Sequence, residues 1–90
     1  MLITQTNGPI VAMNTMVKLT KVHGNGLASN NKVGTVLKGR IKNHGALNVG
    51  QALELDKGGN TSTITSATKT EDGDYVLTTI TGVYFLQKFK

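Results

Sequence analysis

The stretch VGTVLKGRIK, residues 33–42, is the part of the sequence from which the fold is most readily predicted. Read as a β-strand, it places Lys38, Arg40 and Lys42 in a row on one face, because successive side chains alternate between two faces. Same-face neighbours on a strand are roughly 6.6–7 Å apart, close to the phosphate spacing along an extended nucleotide strand. Cations are also ordinary occupants of the solvated face of an antiparallel sheet. The row therefore indicates either a phosphate-binding face or a solvated outer face.

Short strand-like segments and turns make up the rest of the chain. TSTITSATKT at 61–70 is rich in β-branched residues, which favours a strand, and EDGD at 71–74 is typical of a tight hairpin turn. Residues 1–8 are predicted to form a loose arm or an edge strand, and HGNGLASNNK at 23–32 an exposed loop. No segment has a helical period. The sequence therefore predicts an all-β fold, a small antiparallel barrel or sandwich of six or seven short strands, with residues 1–90 as one domain.

The composition limits the class of protein further. Ninety residues with 38% hydrophobic content and no Trp hold little stability in reserve, so we expect a homo-oligomer, although the same composition also suits a tight monomer with a small barrel core. The chain has no cysteine, which excludes disulfides and thiolate chemistry. The N-terminal stretch lacks a basic leader, and no apolar run approaches the roughly 18 residues of a membrane span. We expect a soluble, cytoplasmic protein with no membrane partner.

The distribution of charge is uneven along the chain. The formal net charge is +5, and residues 1–53 contain no Asp or Glu, whereas all five acidic residues follow. One region of the surface should therefore be persistently positive and attract an anionic partner. Simple solubility is the alternative explanation for a charge of this size.

The middle of the chain, GTVLKGRIKNHGALNVGQALEL, resembles the barrel domain that follows the GTPase domain in translation elongation factors. The resemblance covers about a quarter of the sequence and implies a barrel fold, not a role in translation, because no GTPase domain is present. The matching residues are Gly34, Thr35, Val36, Gly39, Arg40, Gly45, Val49 and Gly50.

The C-terminal half resembles short all-β proteins of tailed phages. In that family a threonine-serine-any-valine/isoleucine element is followed by a threonine, an asparagine-serine pair and a tyrosine. Thr81 and Gly82 stand where the asparagine and serine are expected, which is a departure from the pattern. Some proteins of this type are oligomeric sponges for cyclic-nucleotide immune signals, and the resemblance implies that activity in the host cytoplasm. The matching residues are Thr61, Ser62, Ile64, Thr79 and Tyr84.

Catalysis is not indicated by the sequence. His23 and His44 are the only histidines and lie far in the chain from the acids, so no metal site is predicted. The acids at 71–74 lie in a predicted hairpin tip, where exposed carboxyls make poor acid–base catalysts. We expect a protein that is not an enzyme and needs no cofactor.

Nucleotide binding needs cations for phosphate, a flat group for the base, and hydroxyl or amide groups for base edges and ribose. Among the aromatic residues Tyr84 is preferred over Tyr75 and Phe85, because it carries a polar tip and lies in the phage-like element. At least two of the four aromatic residues should nevertheless be needed in the core. The candidate ligand-binding residues are Lys38, Arg40, Lys42, Asn60, Thr61, Ser62, Thr79 and Tyr84.

Three functions fit these features. The first hypothesis is a phage-encoded binding protein that sequesters a small phosphorylated ligand, such as a cyclic oligonucleotide immune signal. The alternative is a small barrel that binds nucleic acid along the row formed by Lys38, Arg40 and Lys42. A structural protein, or an inhibitor that binds a host protein, is the second alternative. Salt dependence separates the first two, because polymer binding weakens steeply with salt in proportion to the phosphates contacted.

Overall fold

The computed structural model describes residues 4–6, 9–24 and 31–89. Within them lie nine short strands, which are all antiparallel to their neighbours. None of the described residues forms a helix long and apolar enough to cross a membrane. The strands are β1 (Thr4–Thr6), β2 (Pro9–Ala12), β3 (Met16–Gly24), β4 (Val36–Arg40), β5 (Ala46–Asn48), β6 (Ala52–Glu54), β7 (Asn60–Lys69), β8 (Tyr75–Thr79) and β9 (Gly82–Lys88).

Seven strands form one curled sheet, a half-barrel. Its order is β1-β7-β8-β9-β3-β4, and β6 pairs with β7 beside this path. An isolated bridge between Ile41 and Leu55 links the chain after β4 to the chain after β6. β2 and β5 form a separate two-stranded sheet. The described strands thus curve around a single interior.

The core fills that interior with aliphatic side chains from alternate strand positions. β8 is a clear example, because Tyr75, Leu77 and Thr79 are buried while the residues between them are half-buried. Both tyrosines are in the core, as the scarcity of aromatic residues predicts. The largest fully buried side chains are Tyr84, Leu19, Ile41, Leu47, Leu53, Ile64, Leu77, Leu86 and Val17.

The turn at 71–74 connects β7 to β8 as the sequence predicts. Gly73 has a φ of 87°, which is the left-handed conformation that glycine adopts without steric cost. The backbone N–H of Thr70 donates to the carbonyl of Asp74, and the N–H of Gly73 donates to that of Thr70. This turn sets the register of the two strands and brings Lys69 opposite Tyr75.

The all-β prediction is confirmed, with differences at the ends of segments. The described residues hold nine strands rather than six or seven, because the segments around β2, β5 and β6 form separate short strands. Residues 4–6 form an edge strand, one of the two predicted states of the N-terminal segment. His23 and Gly24 belong to β3 rather than to the predicted loop, and residues 25–30 of that loop lie outside the described residues.

Candidate functional site

The row of cations on β4 lies on the outer face of the sheet. Lys38 and Arg40 are exposed, while Gly39 between them is buried and Leu37 is half-buried. Lys42 follows the strand and is also exposed, with buried Ile41 before it. The predicted alternation is therefore present over residues 35–42, and all three cations are accessible to solvent. The strand itself is shorter than predicted, because β4 begins at Val36 and Val33 is exposed.

Strand pairing adds a fourth cation to this surface. β3 pairs with β4 so that Lys18 lies directly opposite Lys38, and Met16 lies opposite Arg40. Directly opposed residues of antiparallel strands have Cβ atoms about 4.5–5.5 Å apart, so Lys18 and Lys38 repel each other. Two like charges at this distance are a local cost to the fold that an anion bound between them would relieve.

The next strand brings aromatic side chains to the same surface. β9 pairs with β3 so that Gln87 lies opposite Lys18 and Phe85 opposite Thr20, and the N–H of Phe89 donates to the carbonyl of Met16. Phe85 and Gln87 are half-buried, and Phe89 is 48% exposed. We define the basic-aromatic face as Lys18, Lys38, Arg40, Phe85, Gln87 and Phe89.

Acidic residues limit the positive surface on its other side. The bridge between Ile41 and Leu55 places Glu54 across from Lys42 and Asp56 across from Arg40. An Asp56 carboxylate oxygen accepts a hydrogen bond from the backbone N–H of Arg40 at 2.9 Å. The positive potential is therefore strongest over β3 and β4 and weakens towards β6.

A shallow cleft lies beside Lys42. Its volume is about 230 Å³, and of the eight candidate residues from the sequence it contains Lys42 and Asn60. The carboxylate of Glu54 belongs to the same lining and would oppose a phosphate group there. The lining residues are Lys42, Glu54, Leu55, Gly58, Gly59 and Asn60.

Three of the candidate polar and aromatic residues lie inside the protein. Tyr84 is 1% exposed, Thr61 is 4% exposed and Thr79 is 3% exposed. The Thr79 hydroxyl donates to the carbonyl of Gly82, and the Thr61 hydroxyl accepts from the N–H of Leu53. These side chains complete the hydrogen bonding of the barrel. The structure gives Tyr84 a place in the core and does not support stacking of a base on its ring.

The remaining candidates, Asn60 and Ser62, lie on β7. The Asn60 carbonyl accepts a hydrogen bond from the Asn31 side chain, which also donates to the Tyr84 hydroxyl at 3.0 Å. The Ser62 hydroxyl is 2.8 Å from that of Thr81 and accepts from the Thr81 backbone N–H. The eight candidates therefore fall into three groups: the exposed cations, the residues that line the cleft and the side chains that form internal hydrogen bonds.

Lys21 is a buried cation that the sequence did not single out. Its side chain is 3% exposed, its amino group donates to the carbonyl of Asn31 at 2.7 Å, and it lies 5.7 Å from the centroid of the Tyr84 ring. A carbonyl and a ring stabilise an ammonium group less than a carboxylate does. Lys21 therefore carries a burial cost that these contacts offset only in part.

Lys21→Met is expected to fold with a free energy of unfolding within about 1 kcal/mol of that of the wild-type protein. Methionine keeps the length of the buried stem and removes the cost of burying the charge. Lys21→Ala also removes the stem and should cost about 2–3 kcal/mol through the cavity that it leaves. Urea denaturation measures both values. An equal loss in the two variants would show that the ammonium group itself stabilises the fold.

Metal binding has no support in the part of the chain that the structure describes, where no three His, Asp or Glu side chains are grouped to hold an ion.

Comparison of the chain with protein-family models, curated proteins and solved structures found no match. The site must therefore be judged on its own geometry.

Sequence reasoning did not include Lys18, Gln87 and Phe89 in the site, and it considered Phe85 only as an alternative to Tyr84. The alternation in residues 82–87 held a signal, because the even positions carry Gly, Tyr and Leu while Gln87 interrupts the apolar residues at odd positions. A polar residue at a strand interior marks the solvated face. The pairing of Lys18 with Lys38 had no such signal, since it depends on the register of β3 with β4.

Proposed function

We propose that this protein binds single-stranded nucleic acid on its basic-aromatic face. The observation that carries the proposal is the register of three neighbouring strands, which sets Lys18 opposite Lys38 and places Gln87 on the far side of Lys18. Cations on β3 and β4 would hold the phosphate backbone, and Phe85 on β9 and Phe89 directly after it would stack on bases. A positive surface beside accessible aromatic rings is the usual design of a single-strand binding sheet.

A single strand fits this face better than a duplex does. The half-buried Phe85 and the exposed Phe89 offer ring surface only to bases whose own faces are free. Bases in a duplex are stacked on each other, and their edges are reached by an element that enters a groove. No helix is present among the described residues, and β9, which carries Phe85 and is followed by Phe89, lies inside the sheet between β8 and β3.

A small phosphorylated ligand, such as a cyclic nucleotide, is the second candidate. The observation that favours it is the cleft of about 230 Å³ that brings Lys42 together with Asn60. The buried positions of Tyr84, Thr61 and Thr79 leave this ligand fewer of the groups assigned to it from the sequence. A ligand in the cleft would respond to Lys42→Ala, whereas a polymer on the basic-aromatic face would respond to Lys38→Ala.

The salt dependence of binding tests the proposed function. We expect a fluorescently labelled oligodeoxythymidine of about twelve nucleotides to bind, with a slope of log K against log salt of about −2, from three cations at roughly 0.7 each. Replacing Lys18, Lys38 or Arg40 by alanine should reduce the slope by about 0.7 and weaken binding. Fluorescence anisotropy in about 50 to about 300 mM salt measures both quantities.

Lys69→Ala is the matched control for these variants. Lys69 is exposed and ends β7, so its loss changes the net charge equally without touching the basic-aromatic face. Equal weakening by Lys69→Ala and Lys38→Ala would show that only net charge matters and would contradict the proposal. Saturable binding of a cyclic dinucleotide that needs Lys42, with no binding of the oligonucleotide, would favour the second candidate instead.

A further inference from the structure

We infer that Gln87 reads the base edge of the central nucleotide of a three-nucleotide segment and favours adenine there. This inference rests on the proposed function and assigns it a specificity-determining residue. Gln87 lies between Phe85 and Phe89 on β9 and is half-buried on the outer face. Its place between two rings that would stack on bases is the basis of the assignment.

The spacing along β9 matches three successive nucleotides. Leu86 between Phe85 and Gln87 is buried, Lys88 between Gln87 and Phe89 is exposed, and the hydrogen bond from Phe89 N–H to Met16 continues the pairing with β3 by one residue beyond β9. In extended backbone each of the three residues is separated from the next by about 6.6–6.8 Å. This separation is close to that of successive phosphates in an extended strand. A strand that follows β9 can therefore place its first base on Phe85, its second over Gln87 and its third on Phe89.

The cations lie on the correct side for this path. Lys18 is directly opposite Gln87, and Lys38 is directly opposite Lys18 on the following strand. Neighbouring strands are about 4.7–4.9 Å apart, so the two ammonium groups lie to one side of the aromatic row, on the side away from β8. The phosphate backbone would then run along β3 and β4, with its bases directed towards β9.

The amide of Gln87 suits base recognition. It carries one acceptor and two donors, and a glutamine amide can accept from the N6 amino group of adenine while donating to a ring nitrogen. The Gln87 side chain is half-buried on the outer face of the sheet, where its amide can meet a base edge. Bases stacked on Phe85 and Phe89 would shield the hydrogen bond between the Gln87 amide and the central base from water. This shielding would strengthen that hydrogen bond.

The test compares nonameric oligodeoxythymidines in which the central base is adenine, cytosine, guanine or thymine. We expect the adenine oligonucleotide to bind about fivefold more tightly than the thymine one, at the lower end of the range for a bidentate contact because the site is partly exposed. Gln87→Ala should remove this preference, so that the adenine and thymine oligonucleotides bind within about twofold of each other. Gln51→Ala, which changes an exposed glutamine away from the face, should keep the preference.

The outcomes separate the two proposals. Tight binding without a base preference in the wild-type protein, or a preference that persists in Gln87→Ala, would overturn the role of Gln87 and leave the proposed function intact. Failure of all four nonamers and of the longer oligodeoxythymidine to bind would overturn both. Loss of the preference in Gln87→Ala alone would establish the inference.

Discussion

Reversing the charges of Lys38 and Arg40 together is expected to abolish binding of single-stranded oligonucleotides while the protein stays folded. Both side chains are exposed on β4, and the Arg40 guanidinium makes one described hydrogen bond, a long one of 3.3 Å to the carbonyl of Asn14. The change to glutamate removes two attractions to phosphate and adds two repulsions. At low salt we expect the dissociation constant for a labelled oligodeoxythymidine to rise roughly a hundredfold.

The fold should tolerate this reversal because its effects at the two positions oppose each other: the change at position 38 removes a repulsion, whereas a glutamate at position 40 would lie across from Asp56. Lys38 faces Lys18 across the strand pair, so a glutamate at position 38 would face an opposite charge instead of a like one. Circular dichroism and thermal melting should therefore show a folded protein with a melting temperature close to that of the wild type. The matched control is the double reversal of Lys57 and Lys69, two exposed residues near the two ends of β7. Equal loss of binding in that control would contradict the assignment of the face.

Gly82→Ala is expected to lower the free energy of unfolding by about 2–3 kcal/mol, since a side chain there would overpack the barrel. A Cβ atom at this position would lie 2.5 Å from the carbonyl oxygen of His23 and 2.7 Å from Cε of Lys21. The carbonyl belongs to the paired strand β3 and cannot move without breaking the ladder between β3 and β9. For a domain of this size the loss corresponds to a fall in melting temperature of at least about 8 °C.

Gly24→Ala provides the matched control for this prediction. Gly24 lies directly opposite Gly82 in the pairing of β3 with β9, but a Cβ atom there would make only an ordinary contact, 3.7 Å from Val33. We expect Gly24→Ala to change the free energy of unfolding by less than about 1 kcal/mol. Calorimetry of the two variants measures the difference. Similar melting temperatures for both would show that the β3–β9 pair can adjust, and the steric argument would then be wrong.

Serine, the residue that the phage-like pattern would place at position 82, does not fit this fold. The pattern expects serine where Gly82 stands, and a serine side chain would meet the same carbonyl and the same lysine stem. The residues that match the pattern, Thr79 and Tyr84, are internal, and both make hydrogen bonds that hold the end of the barrel together. In this chain the element therefore serves packing around Lys21, and the capture of a cyclic nucleotide stays a prediction.

Local sequence determined the all-β fold and much of its detail. The β-branched run of β7, the Asp-Gly turn before β8 and the alternation in residues 33–42 each depend on neighbouring residues, and backbone conformation follows from such short-range preferences. For the same reason the outward direction of Lys38 and Arg40 could be predicted from the sequence alone. The alternation of buried and exposed side chains requires only that one face of the strand be buried, whichever strand it pairs with.

The register of the paired strands and the burial of individual side chains were decided by the tertiary structure. A strand can pair in several registers without changing its own pattern, so the sequence of β3 could not show that Lys18 lies opposite Lys38 or that Gln87 lies beside it. Nor could it show that Tyr84 and Lys21 are inside the barrel, because both side chains have polar ends that also suit a surface. Their burial depends on partners far away in the chain, chiefly Asn31 and the close approach that Gly82 permits. The candidate site is a product of these long-range pairings, since its residues come from three strands that only the folded sheet brings together.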